Sequence, residues 1–200
     1  MTSENVEEDV EKQEEQEATV DLLNSLMGPK EPRVIGLFGD IDEEKSSLAC
    51  ANLISFYKMS ATEPIELFIS TNGGSADDMF AIVDTIKYLD SNGCEVHLSG
   101  IGKVMSAGVL ILASGTKGKR KVGANTRLML HSVQGGTQGP YYSMREDLNN
   151  MKKSQENYAK ILSKETGMTI QQVRKILNRK KDTYFTAEEA IKMGIADEIL

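Results

Sequence analysis

Runs typical of β-strands alternate with runs typical of α-helices along the first two thirds of this chain. The predicted strands are residues 33–38, 65–69, 94–98 and 127–130. The predicted helices between them are residues 42–60, 77–89 and 109–113. In the helical runs the apolar residues recur every three or four positions, whereas the strand runs are short and apolar. This alternation predicts an α/β domain whose strands pair mostly in parallel.

Two predicted helices carry apolar faces that the structure can test. In the helix at 42–60 the face consists of Leu48, Ala51, Leu53, Ile54 and Tyr57. In the helix at 77–89 it consists of Met79, Ile82, Val83, Ile86 and Leu89. Both faces predict packing against the sheet.

The last third of the chain is mainly helical. A long amphipathic run at 142–165 has an apolar stripe that predicts either core packing or a subunit contact. The stripe consists of Leu148, Met151, Tyr158, Ile161 and Leu162. The remaining predicted elements are a helix at 170–177, a polar loop at 178–184, a helix that begins at Thr186 and a short strand at 194–200. Glu189 lies three residues after Thr186, which completes a capping box.

The composition is that of a water-soluble globular protein, with 40% apolar and 26% charged residues. A chain of 200 residues suffices for one domain with a buried core. No apolar run approaches the roughly 18 residues of a membrane span, and no signal or transit segment is recognisable, so the expected location is the cytoplasm. Cys50 and Cys94 are expected to be buried free thiols. No Cys and His cluster has zinc-binding spacing, so no metal or other cofactor is expected.

Negative charge is concentrated at the start of the chain. Residues 1–18 contain eight acidic side chains against Lys12 alone, a net charge of −7 that equals the charge of the whole protein. The sequence therefore predicts a mobile acidic tail at 1–18, followed by a single, electrically balanced domain at 19–200. Nucleic acid is disfavoured as a partner, because phosphate binding needs clustered Lys and Arg. The one basic run, at 117–121, is interpreted as a solvated turn.

Ser106 stands where a Gly-rich stretch after the third strand meets the start of the next helix. The N–H groups at a helix start are unpaired, and the helix dipole there favours negative charge. A hydroxyl at this position is either a helix N-cap or a nucleophile beside an anion hole, and the local sequence leaves both open. The G-x-S-x-G motif of α/β-hydrolases is absent, because Val104 occupies the position of the first glycine.

Three polar residues lie at predicted element ends. Ser106 follows one strand, His131 follows another, and Asp182 lies in the late polar loop. A hydroxyl, an imidazole and a carboxylate are the groups that nucleophilic hydrolysis needs. The alternative for His131 is a hydrogen-bonded residue at a strand end. The other histidine, His97, lies inside a predicted strand and is interpreted as a packing residue.

A second Gly-rich turn joins the strand at 65–69 to the helix that follows it. Gly73 and Gly74 allow a tight turn that exposes backbone N–H groups. The alternative is an ordinary loop that contains a residue with positive φ. The phosphate-loop motif G-x-x-x-x-G-K-[ST] is absent, so nucleotide binding is not predicted here.

Six sequence blocks, taken in order, resemble the family of the Clp protease proteolytic subunit, ClpP. The blocks are residues 70–75 (S-T-N-G-G-S), 102–109 (G-K-V-M-S-A-G-V), 115–120 (G-T-K-G-K-R), 125–131 (N-T-R-L-M-L-H), 135–139 (G-G-T-Q-G) and 182–190 (D-T-Y-F-T-A-E-E-A). The resemblance covers about residues 33–200. It implies the ClpP/crotonase-like fold, a spiral of ββα units with a protruding handle, made of a strand and a long helix, at about 132–165.

The same resemblance implies roles for individual residues. Ser106 is the nucleophile, His131 is the general base and then the general acid, and Asp182 orients His131. The backbone N–H groups of Gly74 and Ala107 bind the oxyanion. Neither a metal nor a cofactor takes part in this chemistry.

The resemblance further implies how substrates and partners bind. A substrate peptide adds a strand to an extended segment, which here implies contacts with Gly73, Gln134, Gly135 and Gly136. The implied activity is that of a serine endopeptidase that degrades unfolded polypeptides in ATP-dependent protein quality control. The implied assembly is a homo-oligomer, a heptameric ring stacked as a tetradecamer. An AAA+ unfoldase of the ClpX, ClpA or ClpC type delivers the substrate, and neither a nucleic acid nor a membrane is an implied partner.

Two alternative functions remain open. A non-catalytic ClpP-like ring subunit would share the fold and the assembly. An acyl-CoA enzyme of the crotonase type would share the ββα plan and an oxyanion hole. The Ser106, His131 and Asp182 set speaks against both, and the handle-like helix speaks against the second.

Overall fold

A computed structural model describes residues 32–200 of the chain. The tail predicted at 1–18 and the first residues of the predicted domain, 19–31, lie outside the described residues.

Seven strands and six helices are present between residues 32 and 200. The strands are β1 (Val34–Phe38), β2 (Ile65–Thr71), β3 (Val96–Met105), β4 (Arg120–Val122), β5 (Arg127–Leu130), β6 (Thr183–Phe185) and β7 (Glu198–Ile199). The helices are α1 (Glu43–Met59), α2 (Ala76–Ser91), α3 (Ala107–Ala113), α4 (Tyr141–Glu165), α5 (Ile170–Leu177) and α6 (Ala187–Lys192). Strands and helices alternate from β1 to α3, and the prediction of an α/β fold is confirmed.

The sheet is parallel except at one strand. Its main path runs β1-β2-β3-β4-β7 with parallel pairing throughout. β5 also pairs in parallel with β3, and β6 pairs antiparallel with β5. The predicted parallel sheet is therefore confirmed, but the predicted polar loop at 178–184 is wrong at its end, where β6 begins. The sequence around β6 contains no apolar run that predicts a strand. β6 forms by pairing with β5, where Phe185 lies opposite Leu128, 57 positions earlier in the chain.

β3 is longer than the strand predicted at 94–98. It continues to Met105 through the stretch that the sequence suggested was a Gly-rich turn. Gly102 has a φ of +66°, and the register with β2 shifts before Val104. The early part of β3 pairs with β4 and the late part with β5. The glycine positions thus bend a continuous strand from one partner to the next, as β-bulges do.

The apolar faces of the helices agree with the prediction fully for α2 and only in part for α1. All five predicted face residues of α2 are buried, and α3 is buried along its whole length. On α1 the core side is formed by Ser46, Ala49 and Leu53, whereas Leu48 and Ile54 are exposed. The small side chains let α1 approach α2 closely, and the Ser46 hydroxyl donates a hydrogen bond to the carbonyl of Asp78 at 3.0 Å.

A buried ion pair joins β4 to the segment that precedes β7. Arg120 belongs to the basic run that the sequence analysis interpreted as a solvated turn, and for this residue that interpretation is wrong. Its side chain is 4% exposed and donates from Nε to the Asp197 carboxylate at 2.8 Å. It also donates to the backbone carbonyls of Ala113 and Glu165. The guanidinium thus connects β4 to the end of α3, the end of α4 and the segment before β7.

Helix α4 packs only through its C-terminal half. Its buried residues are Tyr158, Ala159, Leu162 and Glu165. Tyr141, Tyr142 and Leu148, near its beginning, are exposed. Core packing, one of the two roles predicted for the apolar stripe, therefore holds for Tyr158 and Leu162 but not for Leu148.

Candidate active site

Ser106 occupies a strained turn between β3 and α3. Its φ is +53° and its ψ −117°, and it is the one non-glycine residue with positive φ within the described range. Such a conformation costs about 1–3 kcal/mol and persists only where the surroundings impose it. The Ser106 side chain makes no capping hydrogen bond to α3. The N-cap interpretation therefore does not describe this hydroxyl, although the G-x-S-x-G motif is absent.

The Ser106 hydroxyl contacts His131 instead. Oγ of Ser106 lies 2.7 Å from Nε2 of His131. The sheet register explains the approach, because β5 pairs with the end of β3 and the Ser106 N–H donates to the Met129 carbonyl at 2.7 Å. Both side chains are only partly buried. An imidazole in this position can accept the hydroxyl proton and activate the oxygen as a nucleophile.

Asp182 is not hydrogen-bonded to His131. Its side chain is exposed and makes no hydrogen bond with residues 32–200. Nδ1 of His131 is buried and likewise has no partner within that range. His131 and Asp182 each lie one residue beyond Leu130 and Thr183, the last pair of the β5–β6 ladder. The structure thus brings Ser106 and His131 into contact but does not bring Asp182 into hydrogen-bond contact with either of them.

The Gly73–Gly74 turn lies against the nucleophile. Ile41 forms a parallel bridge with Gly74, donating to the Gly73 carbonyl at 2.8 Å and accepting from the Ser75 N–H at 2.9 Å. Gly73 has a φ of +103°, and a Cβ placed on it would lie 2.7 Å from Ser106 Cβ. Glycine is therefore required at this approach.

Two backbone N–H groups beside Ser106 are unengaged. Those of Gly74 and Ala107 make no hydrogen bond to other residues of the described chain. That of Ala107 is the first of α3, where helices leave N–H groups unpaired. The distance from a Cβ placed on Gly73 to the Ala107 nitrogen, 3.2 Å, shows how closely the turn and the helix start approach each other. Two such donors are suited to bind an oxyanion.

A cavity of about 340 Å³ opens beside the two side chains. Its lining residues are Asn72, Gly74, Ser75, Ala76, Met79, Ser106, Ala107, His131, Val133, Gln134, Tyr158 and Leu177. Of the residues predicted to bind substrate, Gln134 lines this cavity. Gly135 and Gly136 follow it on an exposed segment without helix or strand structure.

Sequence reasoning missed the part that α4 plays in the site. The Tyr158 hydroxyl donates to the Ser106 carbonyl at 2.9 Å, and the Gln155 side chain accepts from the Val133 N–H at 3.0 Å. Tyr158 itself could have indicated such a contact, because a tyrosine hydroxyl on an otherwise apolar stripe needs a hydrogen-bond partner once it is buried. The sequence does not say which partner that is.

A comparison with models of known protein families identifies the family of this chain. The family model for Clp protease matches residues 13–200. The chain belongs to the Clp protease family. Clp proteases are in general serine peptidases, and the crotonase-type alternative is not favoured by this membership. Across residues 32–200, no three His, Cys, Asp or Glu side chains are grouped so as to hold a metal ion. None of the helices in that range is long and apolar enough to cross a membrane.

Proposed function

We propose that the chain is a serine endopeptidase that cleaves unfolded polypeptides, with Ser106 as its nucleophile. The observation that carries the proposal is the 2.7 Å contact between Ser106 Oγ and His131 Nε2 at the rim of the cavity. Membership of the Clp protease family supports the same class of reaction.

His131 performs two proton transfers in this mechanism. It accepts the Ser106 proton as Oγ bonds to the scissile carbonyl carbon, and it then donates that proton to the leaving amine. The acyl-enzyme is hydrolysed by water in the same two steps. A neutral imidazole that accepts at Nε2 carries its proton on Nδ1. Nδ1 is the buried atom without a partner within residues 32–200, and His131 and Asp182 both lie one residue beyond the last pair of the β5–β6 ladder, so Asp182 is proposed to accept this N–H in the competent arrangement.

The oxyanion is proposed to bind the N–H groups of Gly74 and Ala107. Both donors are unengaged within the described chain, and both border the cavity. Loss of one donor of this kind costs about 3–4 kcal/mol of transition-state stabilisation. The substrate backbone is proposed to add as a strand alongside Gln134, Gly135 and Gly136, with Gly73 at the opposite wall. This segment has no strand partner in residues 32–200, so its own backbone groups are open to a peptide.

The proposed assembly is a heptameric ring that stacks into a tetradecamer and receives substrate from an AAA+ unfoldase of the ClpX, ClpA or ClpC type. The exposed apolar residues Tyr141, Tyr142 and Leu148 on α4 support a covered surface there. Light scattering coupled to size exclusion measures the assembly directly. A monomer at micromolar concentration would contradict this part of the proposal without touching the chemistry.

A fluorophosphonate probe tests the chemistry. We expect it to label the wild-type protein at Ser106 and to fail on Ser106→Ala and His131→Ala. His97→Ala is the matched control, because His97 lies on β3, pairs with Glu95 and does not contact the cavity. An assembled ring that stays unlabelled would instead favour the non-catalytic subunit.

A further inference from the structure

One peptide group of the active site has both a hydrogen-bonded carbonyl and a proposed oxyanion donor. The peptide between Ser106 and Ala107 has the Ser106 carbonyl at one end and the Ala107 N–H, a proposed oxyanion donor, at the other. Its carbonyl oxygen accepts two hydrogen bonds, one from the Val109 N–H at 3.0 Å and one from the Tyr158 hydroxyl at 2.9 Å. The second is the one side-chain contact to this oxygen among the described residues.

The conformation of this turn requires support from outside. Ser106 has positive φ without being glycine, so the neighbouring structure must hold it there. Three elements do so. β5 accepts from the Ser106 N–H through Met129, α3 begins with the Val109 bond, and α4 contributes Tyr158.

Tyr158 is well suited to act as a permanent donor. The residue is 7% exposed and packs within the core of the domain. Burial raises the pKa of its hydroxyl above that of free tyrosine, so the proton stays on the oxygen at any physiological pH. Tyr158 and Ser106 both line the cavity, so the two residues border the same space.

We propose that Tyr158 is a positioning residue that orients and polarises the Ser106–Ala107 peptide. A hydrogen bond accepted by the carbonyl of a peptide withdraws electron density from its N–H, which becomes a stronger donor. The same bond fixes the peptide plane and so directs the Ala107 N–H at the oxyanion. Tyr158 thereby acts on the transition state through one peptide group, without contacting substrate by its hydroxyl. The inference rests on the proposed peptidase function.

Tyr158→Phe tests the inference, because it removes the hydroxyl and keeps the ring. We expect kcat for a peptide substrate to fall about tenfold with KM within about twofold, since the change weakens a donor whose complete loss costs about 10²–10³-fold. The affinity for a peptide boronate should fall by the same factor, because its tetrahedral adduct places an oxygen on the Ala107 N–H. Tyr57→Phe is the matched control, since Tyr57 is half-buried on α1 against Tyr88 and does not line the cavity.

A second substitution covers the case in which Tyr158→Phe fails to fold. Incorporating 3-fluorotyrosine at position 158 keeps ring and hydroxyl but makes the O–H a stronger donor, so boronate affinity should rise. Unchanged kcat and unchanged boronate affinity in Tyr158→Phe, or in the fluorotyrosine protein, overturn the inference. A wild-type protein that neither hydrolyses peptides nor reacts with fluorophosphonate overturns the peptidase proposal itself, and this inference with it.

Discussion

Leu130 and Thr183 face each other in the antiparallel ladder between β5 and β6. His131 and Asp182 are the next residues beyond this last pair, one on each chain segment. The carboxylate is nevertheless turned to solvent, and the buried Nδ1 of His131 has no partner within residues 32–200. Each of these two predicted site residues thus lies one position from the last hydrogen-bonded pair of the ladder.

Asp182→Asn should abolish most of the activity without affecting stability. An amide at this position no longer selects the imidazole tautomer that accepts from Ser106, and the loss of such a carboxylate costs about 10⁴-fold in kcat in serine proteases. Because Asp182 is exposed, the free energy of unfolding should change by less than about 0.5 kcal/mol. Steady-state kinetics with a fluorogenic peptide and chemical denaturation measure the two quantities.

Asp84→Asn is the control for this substitution. Asp84 is an exposed aspartate on α2 that does not line the cavity, so its replacement should leave kcat unchanged. If Asp182→Asn retained kcat within about threefold of wild type, Asp182 would not be the carboxylate of the triad.

Gly73→Ala should damage the site through its backbone. The new Cβ would lie 2.7 Å from Ser106 Cβ and 3.2 Å from the Ala107 nitrogen, on a residue whose φ of +103° already disfavours a side chain. Displacing these atoms misplaces both the nucleophile and an oxyanion donor, so we expect kcat to fall by at least about 10²-fold. The strain should also lower the free energy of unfolding by about 1–3 kcal/mol.

Gly167→Ala provides the comparison. A Cβ on Gly167 would meet nothing within 4 Å, and the residue lies outside the cavity lining. We expect activity and stability near those of wild type. Full activity in Gly73→Ala would show that the turn does not hold the site as described.

Asp197→Ala should destabilise the fold by about 3 kcal/mol, because it leaves the buried Arg120 guanidinium without its carboxylate. The neighbouring pair supplies a matched control. Lys121 and Glu198 form an ion pair at 3.3 Å with both side chains largely exposed, so Glu198→Ala should cost less than about 1 kcal/mol. Urea denaturation at neutral pH distinguishes the two variants, and equal losses would contradict the structural role assigned to Arg120.

The same pair predicts a pH dependence. Burial alone raises the pKa of Asp197, but hydrogen bonds from the side chain and backbone of Arg120 outweigh it and lower the pKa below the ordinary 3.8. The stabilisation is therefore complete above the unfolded value and is lost as the pH falls through the lower folded value. We expect the wild-type free energy of unfolding to decline below about pH 4, with a smaller decline in Asp197→Ala.

Local sequence patterns predicted the structure correctly where the residues that determine it lie close together in the chain. The buried face of α2 and the capping box of Thr186 and Glu189 are both as predicted, because helix period and capping depend on residues within a few positions. On α1 the same method was right for Leu53, which is buried, but wrong for other residues of the predicted face. Leu48 and Ile54 are apolar but exposed, and the core side uses Ser46 and Ala49, because close approach to α2 favours small side chains over large ones.

For the candidate active site, too, some features follow from the sequence and others only from the tertiary structure. The sequence by itself determined the alternation of strands and helices, the residue types able to perform nucleophilic hydrolysis, and, through six ordered blocks, the family. Only the tertiary structure decided that the Ser106 hydroxyl contacts His131 rather than capping α3, that Asp182 is exposed and makes no hydrogen bond with the imidazole, and that Tyr158 donates to the Ser106 carbonyl from 52 positions away. The physical reason is that hydrogen bonds of a few ångströms join residues whose separation along the chain carries no information about distance. Sheet register and helix packing set that distance.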